Sequence, residues 1–352
     1  MATLAQAIRM ALHYAEENLQ LTNILGQDVG PPLGGVFTAT QGLKTAWNSP
    51  LDERGIMGAA IGLAMAGQRC VAEIQFCDYI FNALDLIMLA GKICWSSYGD
   101  WNLPMTVITP VGSGIRGSIY HSHSFDAMMS HVPGWKIVMP SNPKEGYGLL
   151  ISCLQDPNPT MYLAPKALMY MAGDELIPGE PAVGLKALID KPVNKEEAAK
   201  WQPRWPEDLT DYAVPIGKGR IVREGTSITV VSYGRTLQLC AKAADHLLEE
   251  NIAVEVIDMR TLWPYDWELI SQSIQKTQCV LFVNEDLEVT NFGEHLIRRT
   301  VEEFFYHLAA PPRLLAGAFI PGIGLAHSLE MASVPQVGSI TSAIRDLAAS
   351  KV

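Results

Sequence analysis

Met105-Thr106-Val107-Ile108 is a short β-forming run, and soon after it the chain reads Gly112-Ser113-Gly114-Ile115-Arg116-Gly117-Ser118-Ile119-Tyr120-His121-Ser122-His123-Ser124. A strand that opens into a glycine-rich loop is the pattern of an open parallel sheet, whose sites are built beyond the carboxyl ends of its strands. Working outward, further strands are expected over residues 71–76, 137–139 and 160–163. They alternate with helical stretches over 84–95 and from Pro143 onward, where Pro143 and Glu145 suit a first turn. At the N-terminus, Thr3 and Gln6 form a capping box for a helix whose apolar face is Leu4, Ile8, Ala11, Leu12 and Ala15.

The composition changes over 173–212, where Pro178, Pro181, Pro192, Pro203 and Pro206 break any periodicity. This reads as a linker or surface insertion with a short helix over 195–201, and Trp201 and Trp205 favour an ordered wrap over a free tether. After Pro215 strands recur over 227–232, 253–257, 279–283 and 313–316, with amphipathic helices over 294–305 and 337–349. The fold class is therefore α/β, as two open, mostly parallel sheet domains covering 1–172 and 213–352, with 173–212 between them.

The chain has 352 residues, 48% hydrophobic and only 18% charged. Ordinary soluble domains carry about 25% charged residues, so part of this surface is expected to be covered by other subunits. A formal charge of -11 argues against nucleic acid or an anionic membrane as partner. No apolar run approaches the roughly 20 residues of a membrane span, and no basic cluster precedes an apolar core as in a signal peptide. The six cysteines are scattered without metal-ligand spacing, which predicts reduced core thiols in a cytoplasmic-type compartment, an organelle matrix remaining open. No dinucleotide fingerprint, Walker loop or nucleophile elbow is present.

Two segments are dense in chemistry. In Pro50-Leu51-Asp52-Glu53-Arg54-Gly55-Ile56-Met57-Gly58 a carboxylate stands at the start of a helix carrying Gly55, Gly58, Ala59, Gly62 and Ala66. Small residues at that spacing admit a second backbone or a flat ligand, while the plain alternative is that Asp52 or Glu53 only caps the helix. In the 112–124 loop, Arg116, His121 and His123 supply charge and a proton carrier near neutral pH. The plain alternative there is a flexible glycine loop with incidental histidines.

Together with Glu73-Ile74-Gln75-Phe76-Cys77-Asp78-Tyr79-Ile80-Phe81, these segments carry a resemblance. The chain resembles the β subunit of the thiamine-diphosphate-dependent decarboxylating component of 2-oxo acid dehydrogenases, of pyruvate, branched-chain or acetoin type, within the transketolase-like superfamily. The likeness includes Asp28-Val29-Gly30, Gly34-Gly35-Val36-Phe37, Tyr120-His121-Ser122, Cys153-Leu154-Gln155-Asp156-Pro157-Asn158-Pro159 and Glu255-Val256-Ile257-Asp258-Met259-Arg260-Thr261-Leu262-Trp263-Pro264. Each motif is weak alone; in this order they are specific.

The resemblance implies a pyrimidine-binding domain followed by a transketolase-type C-terminal domain. It implies that Glu53 contacts N1′ of the aminopyrimidine and so promotes loss of the thiazolium proton, with Leu51, Gln75 and Tyr79 lining the ring. His121 would handle protons on the substrate and assist acyl transfer to lipoamide, with Arg116 and His123 as further substrate contacts. A structural potassium ion would sit at Leu103, Met105, Thr106, Cys153, Asp156 and Asn158, largely on main-chain oxygens.

The metal–diphosphate motif of the family, G-D-G followed by asparagines, is missing: Gly99-Asp100-Trp101 and Gly173-Asp174-Glu175 do not continue correctly. An α subunit is therefore expected to hold the diphosphate and its Mg2+ in an α2β2 heterotetramer, with a lipoyl acyltransferase core as a further partner. The family pattern is altered at Gln27, Ile108, His123 and Asn284, in the stretch over 93–98, and by the length of 173–212. The other readings are a two-subunit carboligase of transketolase type and a non-catalytic assembly subunit.

Overall fold

The structure is a computed structural model that describes residues 1–35 and 37–351. Val36, within the Gly34–Phe37 motif, and Val352 lie outside the described residues. The chain divides into two compact units. The first comprises Met1–Pro110, Val132–Ala164 and Leu168–Ile216, and the second Val111–His131, Pro165–Ala167 and Gly217–Val352. The histidine-bearing loop, within the 1–172 span expected from sequence, packs as part of the second unit.

The first unit holds helices α1 (Leu4–Asn18), α2 (Glu53–Met65) and α3 (Leu84–Ser96) and strands β1 (Leu21–Gly26), β2 (Ala46–Asn48), β3 (Arg69–Glu73) and β4 (Met105–Val111). After α4 (Asp126–Ser130), which lies in the second unit, come β5 (Lys136–Val138), α5 (Pro143–Gln155), β6 (Thr160–Pro165), α6 (Leu185–Ile189) and α7 (Lys195–Lys200). The strands lie side by side in the order β5-β6-β4-β3-β1-β2, with β5–β6, β4–β3, β3–β1 and β1–β2 pairing in parallel. The capping box at Thr3 and Gln6 forms as the sequence predicts. α1 packs against α5 because Gly146 lets it: a Cβ there would stand 2.3 Å from Leu4 Cδ1. β3 stops at Glu73, short of the expected 76, because residues 77–83 coil into a 3-10 turn.

The 173–212 segment packs onto this unit rather than tethering it. Ile177, Leu185 and Ile189 join the buried core, and Trp205 stacks on His13 with centroids 4.2 Å apart. Apolar surface removed from water in this way stabilises by about 25 cal/mol per Å2, which a free linker would forfeit.

The second unit contains β7 (Arg220–Arg223), β8 (Ile228–Ser232), α8 (Gly234–Leu248), β9 (Val254–Asp258), β10 (Thr261–Trp263), α9 (Trp267–Thr277), β11 (Val280–Leu287), α10 (Phe292–Phe304), β12 (Arg313–Gly317), α11 (His327–Ser333) and α12 (Val337–Ala349). Its five-stranded sheet runs β12-β11-β8-β9-β7, parallel except for the antiparallel edge strand β7. β8 and β9 are buried along their whole length, as strands of a doubly covered sheet should be, and the buried polar side chains among them are partnered: Glu255 by Lys276, and Thr229 by Ser273 and Thr277. The cysteines form no disulfide among the described residues, and burial pushes the Cys70, Cys153 and Cys240 thiols up to about 12, so they are packed protonated. No helix of the described residues is long and apolar enough to cross a membrane.

Candidate active site

In the first unit, Asp52 is extended (φ -161°) and α2 begins at Glu53. The Asp52 side chain makes no cap hydrogen bond; only its carbonyl accepts, from Ile56 N–H at 2.8 Å. Glu53 is half-buried, and its Oε2 accepts from Asn82 Nδ2 at 3.3 Å. Asn82 stands on the 3-10 turn Cys77–Ala83, which also carries Tyr79. The Tyr79 phenol is held above its ordinary pKa, first by burial and then by the Asp78 and Glu53 charges, so Glu53 and Tyr79 share one electrostatic neighbourhood. Phe76 buttresses Tyr79 edge-on at 6.0 Å. Gln75 is half-buried at the carboxyl end of β3, and Leu51 is 67% exposed ahead of α2. Of the positions expected from sequence, Glu53 and Tyr79 share this neighbourhood; Asn82, which the sequence did not single out, has as its one signal its place in the same turn as Tyr79.

The six positions of the expected potassium site also lie in the first unit. Thr106 and Thr160 hydroxyls meet at 2.9 Å, Thr160 also reaches the Cys153 carbonyl at 3.4 Å, and Leu103 N–H donates to the Pro157 carbonyl at 3.0 Å. Asn158 N–H donates to Asp156 Oδ1 at 3.0 Å, whereas the buried Asn158 Oδ1 has no hydrogen-bond donor. Arg69 donates to the Leu154 carbonyl and, at 3.3 Å, to that of Asp156, and Lys136 pairs with the Asp156 carboxylate. Met105 is buried at the start of β4.

In the second unit, His121 is half-buried and its Nδ1 lies 3.1 Å from the Gly117 carbonyl. A carbonyl only accepts, so Nδ1 carries the hydrogen and Nε2 is the basic nitrogen of the neutral ring. His123 is 8% exposed and stacks on Phe125 at 5.1 Å. Arg116 is exposed with φ +57°, its amide turned inward to Glu330 Oε1. Asn284 is 2% exposed and exchanges two amide hydrogen bonds with Asn291, at 2.7 and 2.8 Å.

Three carboxylates of this unit hold the loop. Glu330 accepts from Gly114 and Arg116 N–H, Glu285 accepts from Ser113 Oγ at 3.0 Å, and Asp286 accepts from Phe125 and Ala127 N–H at 3.1 and 2.9 Å. Asp126, wholly buried, is pushed well above the usual carboxyl range by burial and then by the Asp286 charge. Gly112 is required where it stands: with φ +82°, a Cβ would sit 2.1 Å from Glu285 Oε1.

Residues 1–171 match the transketolase pyrimidine binding domain, and residues 217–340 the transketolase C-terminal domain. The 2-oxoisovalerate dehydrogenase subunit beta of Pseudomonas aeruginosa is 36% identical, covering 97% of this chain and 94% of its own. That of Bacillus subtilis is 35% identical, with 97% of both chains covered. The pyruvate dehydrogenase E1 component subunit beta of Acholeplasma laidlawii is 33% identical, with 98% of both covered. A solved split gene transketolase, an inactive beta4 tetramer, superposes with a TM-score of 0.70 at 18% identity over 99% of this chain and 98% of that one, a likeness of fold. The chain belongs to the 2-oxo acid dehydrogenase β subunits, components of thiamine-diphosphate-dependent enzymes whose name implies an α partner.

Proposed function

We propose that this chain is the β half of an enzyme that decarboxylates a 2-oxo acid and passes the acyl group to lipoamide. The carrying observation is the Glu53 carboxylate at the first residue of α2, tethered by Asn82 and sharing its field with Tyr79. A half-buried, oriented carboxylate beside an aromatic face suits an aminopyrimidine: it holds a proton at the ring nitrogen while the Tyr79 ring offers a stacking surface. Gln75 adds an amide at the same strand end, and Leu51 an apolar contact that a bound ring would cover. Bound thiamine diphosphate supplies the nucleophilic carbon and the electron sink that decarboxylation needs.

His121, with Nδ1–H committed to the Gly117 carbonyl, offers Nε2 as the proton carrier for substrate and acyl transfer. Arg116 supplies a cation for a substrate carboxylate, with His123 as a further substrate contact. The α partner holds the diphosphate and Mg2+ in an α2β2 heterotetramer that docks on a lipoyl acyltransferase core. The buried, undonated Asn158 Oδ1 supports a monovalent cation such as potassium on that segment.

The test is reductive acylation of a lipoyl domain by the holoenzyme assembled with its α subunit. Glu53→Gln, which keeps the shape and loses the exchangeable proton, should lower turnover by about 10^2-fold or more with assembly intact. Full activity of that variant would overturn the reading, and product formed without a lipoyl acceptor would point to a carboligase.

A further inference from the structure

His121 is oriented by a backbone carbonyl, and that carbonyl belongs to a loop whose conformation is itself set from elsewhere. Gly114 (φ +105°) and Arg116 (φ +57°) turn their amides toward a single atom, Oε1 of Glu330, at 2.8 and 3.1 Å. Two amides of one tight turn aimed at a single point make a concave N–H pocket that takes an anion. Here the anion is a side chain of α11 that is only 1% exposed. The next residue, Gly117, then presents its carbonyl to His121 Nδ1. That contact is tight: a Cβ on Gly117 would lie 2.6 Å from the His121 carbonyl oxygen and 2.7 Å from its Cβ. Beyond His121, Ser122 Oγ donates to the Ser118 carbonyl at 2.7 Å, and Asp286 fixes the amides of Phe125 and Ala127. The imidazole is thus strung between two carboxylate anchors, and the nearer one acts on the peptide that orients it.

We propose that Glu330 is a positioning residue for His121: by gathering the Gly114 and Arg116 amides it aims the Gly117 carbonyl, which holds the imidazole with Nε2 as its basic nitrogen. This rests on the reading of His121 as proton carrier given above. A carboxylate that merely stabilised α11 would lower the amount of folded protein, whereas one acting through His121 alters the turnover of each assembled molecule.

The experiment uses the holoenzyme assembled with its α subunit and follows reductive acylation of a lipoyl domain by Glu330→Ala, Glu330→Gln, His121→Ala and the Glu330→Ala/His121→Ala double variant. Loss of the two charge-assisted bonds should lower the kcat of Glu330→Ala by about 10-fold or more, with the KM for the 2-oxo acid within about twofold. Glu330→Gln keeps an oxygen acceptor for both amides and should recover most of the loss. In the His121→Ala background, Glu330→Ala should have no further effect, because its route to the chemistry is already cut. If Glu330→Ala fails to assemble, Glu330→Asp, which withdraws the carboxylate by one methylene, takes its place in the same cycle, with a smaller loss that vanishes beside His121→Ala. The proposal is overturned by wild-type turnover in Glu330→Ala, by equal losses in the Ala and Gln variants, or by an undiminished effect in the His121→Ala background. Wild-type turnover in His121→Ala would instead overturn the role assigned to the histidine.

Discussion

Arg235 is the cation paired with the acidic cluster beneath the histidine loop, and Arg235→Met removes it. The Arg235 and Glu285 side chains are 8% and 7% exposed and meet at 3.2 Å. Glu285 keeps one other donor, the Ser113 hydroxyl at 3.0 Å, and its charge already bears on Asp126 together with that of Asp286. Removing one partner of a buried ion pair leaves the other charge uncompensated, at about 3–5 kcal/mol. The remaining Ser113 bond offsets about 1 kcal/mol of that. Loss of the longer Arg235 contacts to Pro335 O (3.4 Å) and Gln336 Oε1 (3.2 Å) adds a little back. The expected loss is therefore about 3 kcal/mol. Glu285→Gln in the same chain discharges the orphan while keeping the Ser113 bond, so the double variant should lie within about 1 kcal/mol of wild type. Urea unfolding followed by the fluorescence of Trp263 and Trp267, both in the second unit, reads the difference. A loss below about 1 kcal/mol in Arg235→Met, or no recovery in the double variant, would refute the account of a buried pair serving a carboxylate cluster.

The remaining expectations concern the same loop and one helix. Asp126 has a raised pKa when folded, so its stabilising contribution is complete below about 3.9 and is lost as pH rises toward the folded value, at about 1.4 kcal/mol per pH unit. Asp126→Asn carries no such penalty, so its unfolding free energy relative to wild type should grow with pH across that window; a flat difference would count against the raised pKa. Gly112→Ala forces a side chain into φ +82° and onto Glu285 Oε1, and should lower stability by about 2 kcal/mol or more in thermal unfolding. Gly62→Ala in α2, where a Cβ meets nothing within 4 Å, should raise the stability of the isolated chain by about 0.5–1 kcal/mol.

Much of the fold was legible because hydrophobic pattern and local chemistry agree. α12 occupies Val337–Ala349 as read from its amphipathic period, and α5 begins at Pro143 with Asn142 capping Glu145 N–H. β1 and β2 were missed because Leu21–Gly26 is polar at Thr22 and Asn23, and Ala46–Asn48 is three residues long. β7 escaped because Arg220–Arg223 is a partly exposed edge bounded by arginines. Residues 74–76 have strand-like composition, yet the 3-10 turn that follows takes them out of the sheet, a competition that propensity does not resolve. Glu53 was visible as an acid at a helix start. Glu330, Asp286 and Asn82 were not, since each meets its partner across a sequence gap that no local pattern spans: 216 residues for Gly114 and Glu330, 161 for Phe125 and Asp286, 29 for Asn82 and Glu53.

The path of the chain between its two units bears on how such a subunit can be divided. Because Val111–His131 leaves the first unit and returns, the peptide that carries His121 is covalently framed by one half and folded by the other. A fragment ending at Ala172 would include that peptide but leave behind Glu285, Asp286 and Glu330, the acceptors for its amides and the Ser113 hydroxyl. Gene fission or domain exchange at the proline-rich stretch would thus put the imidazole and the carboxylates that shape its surroundings on different chains.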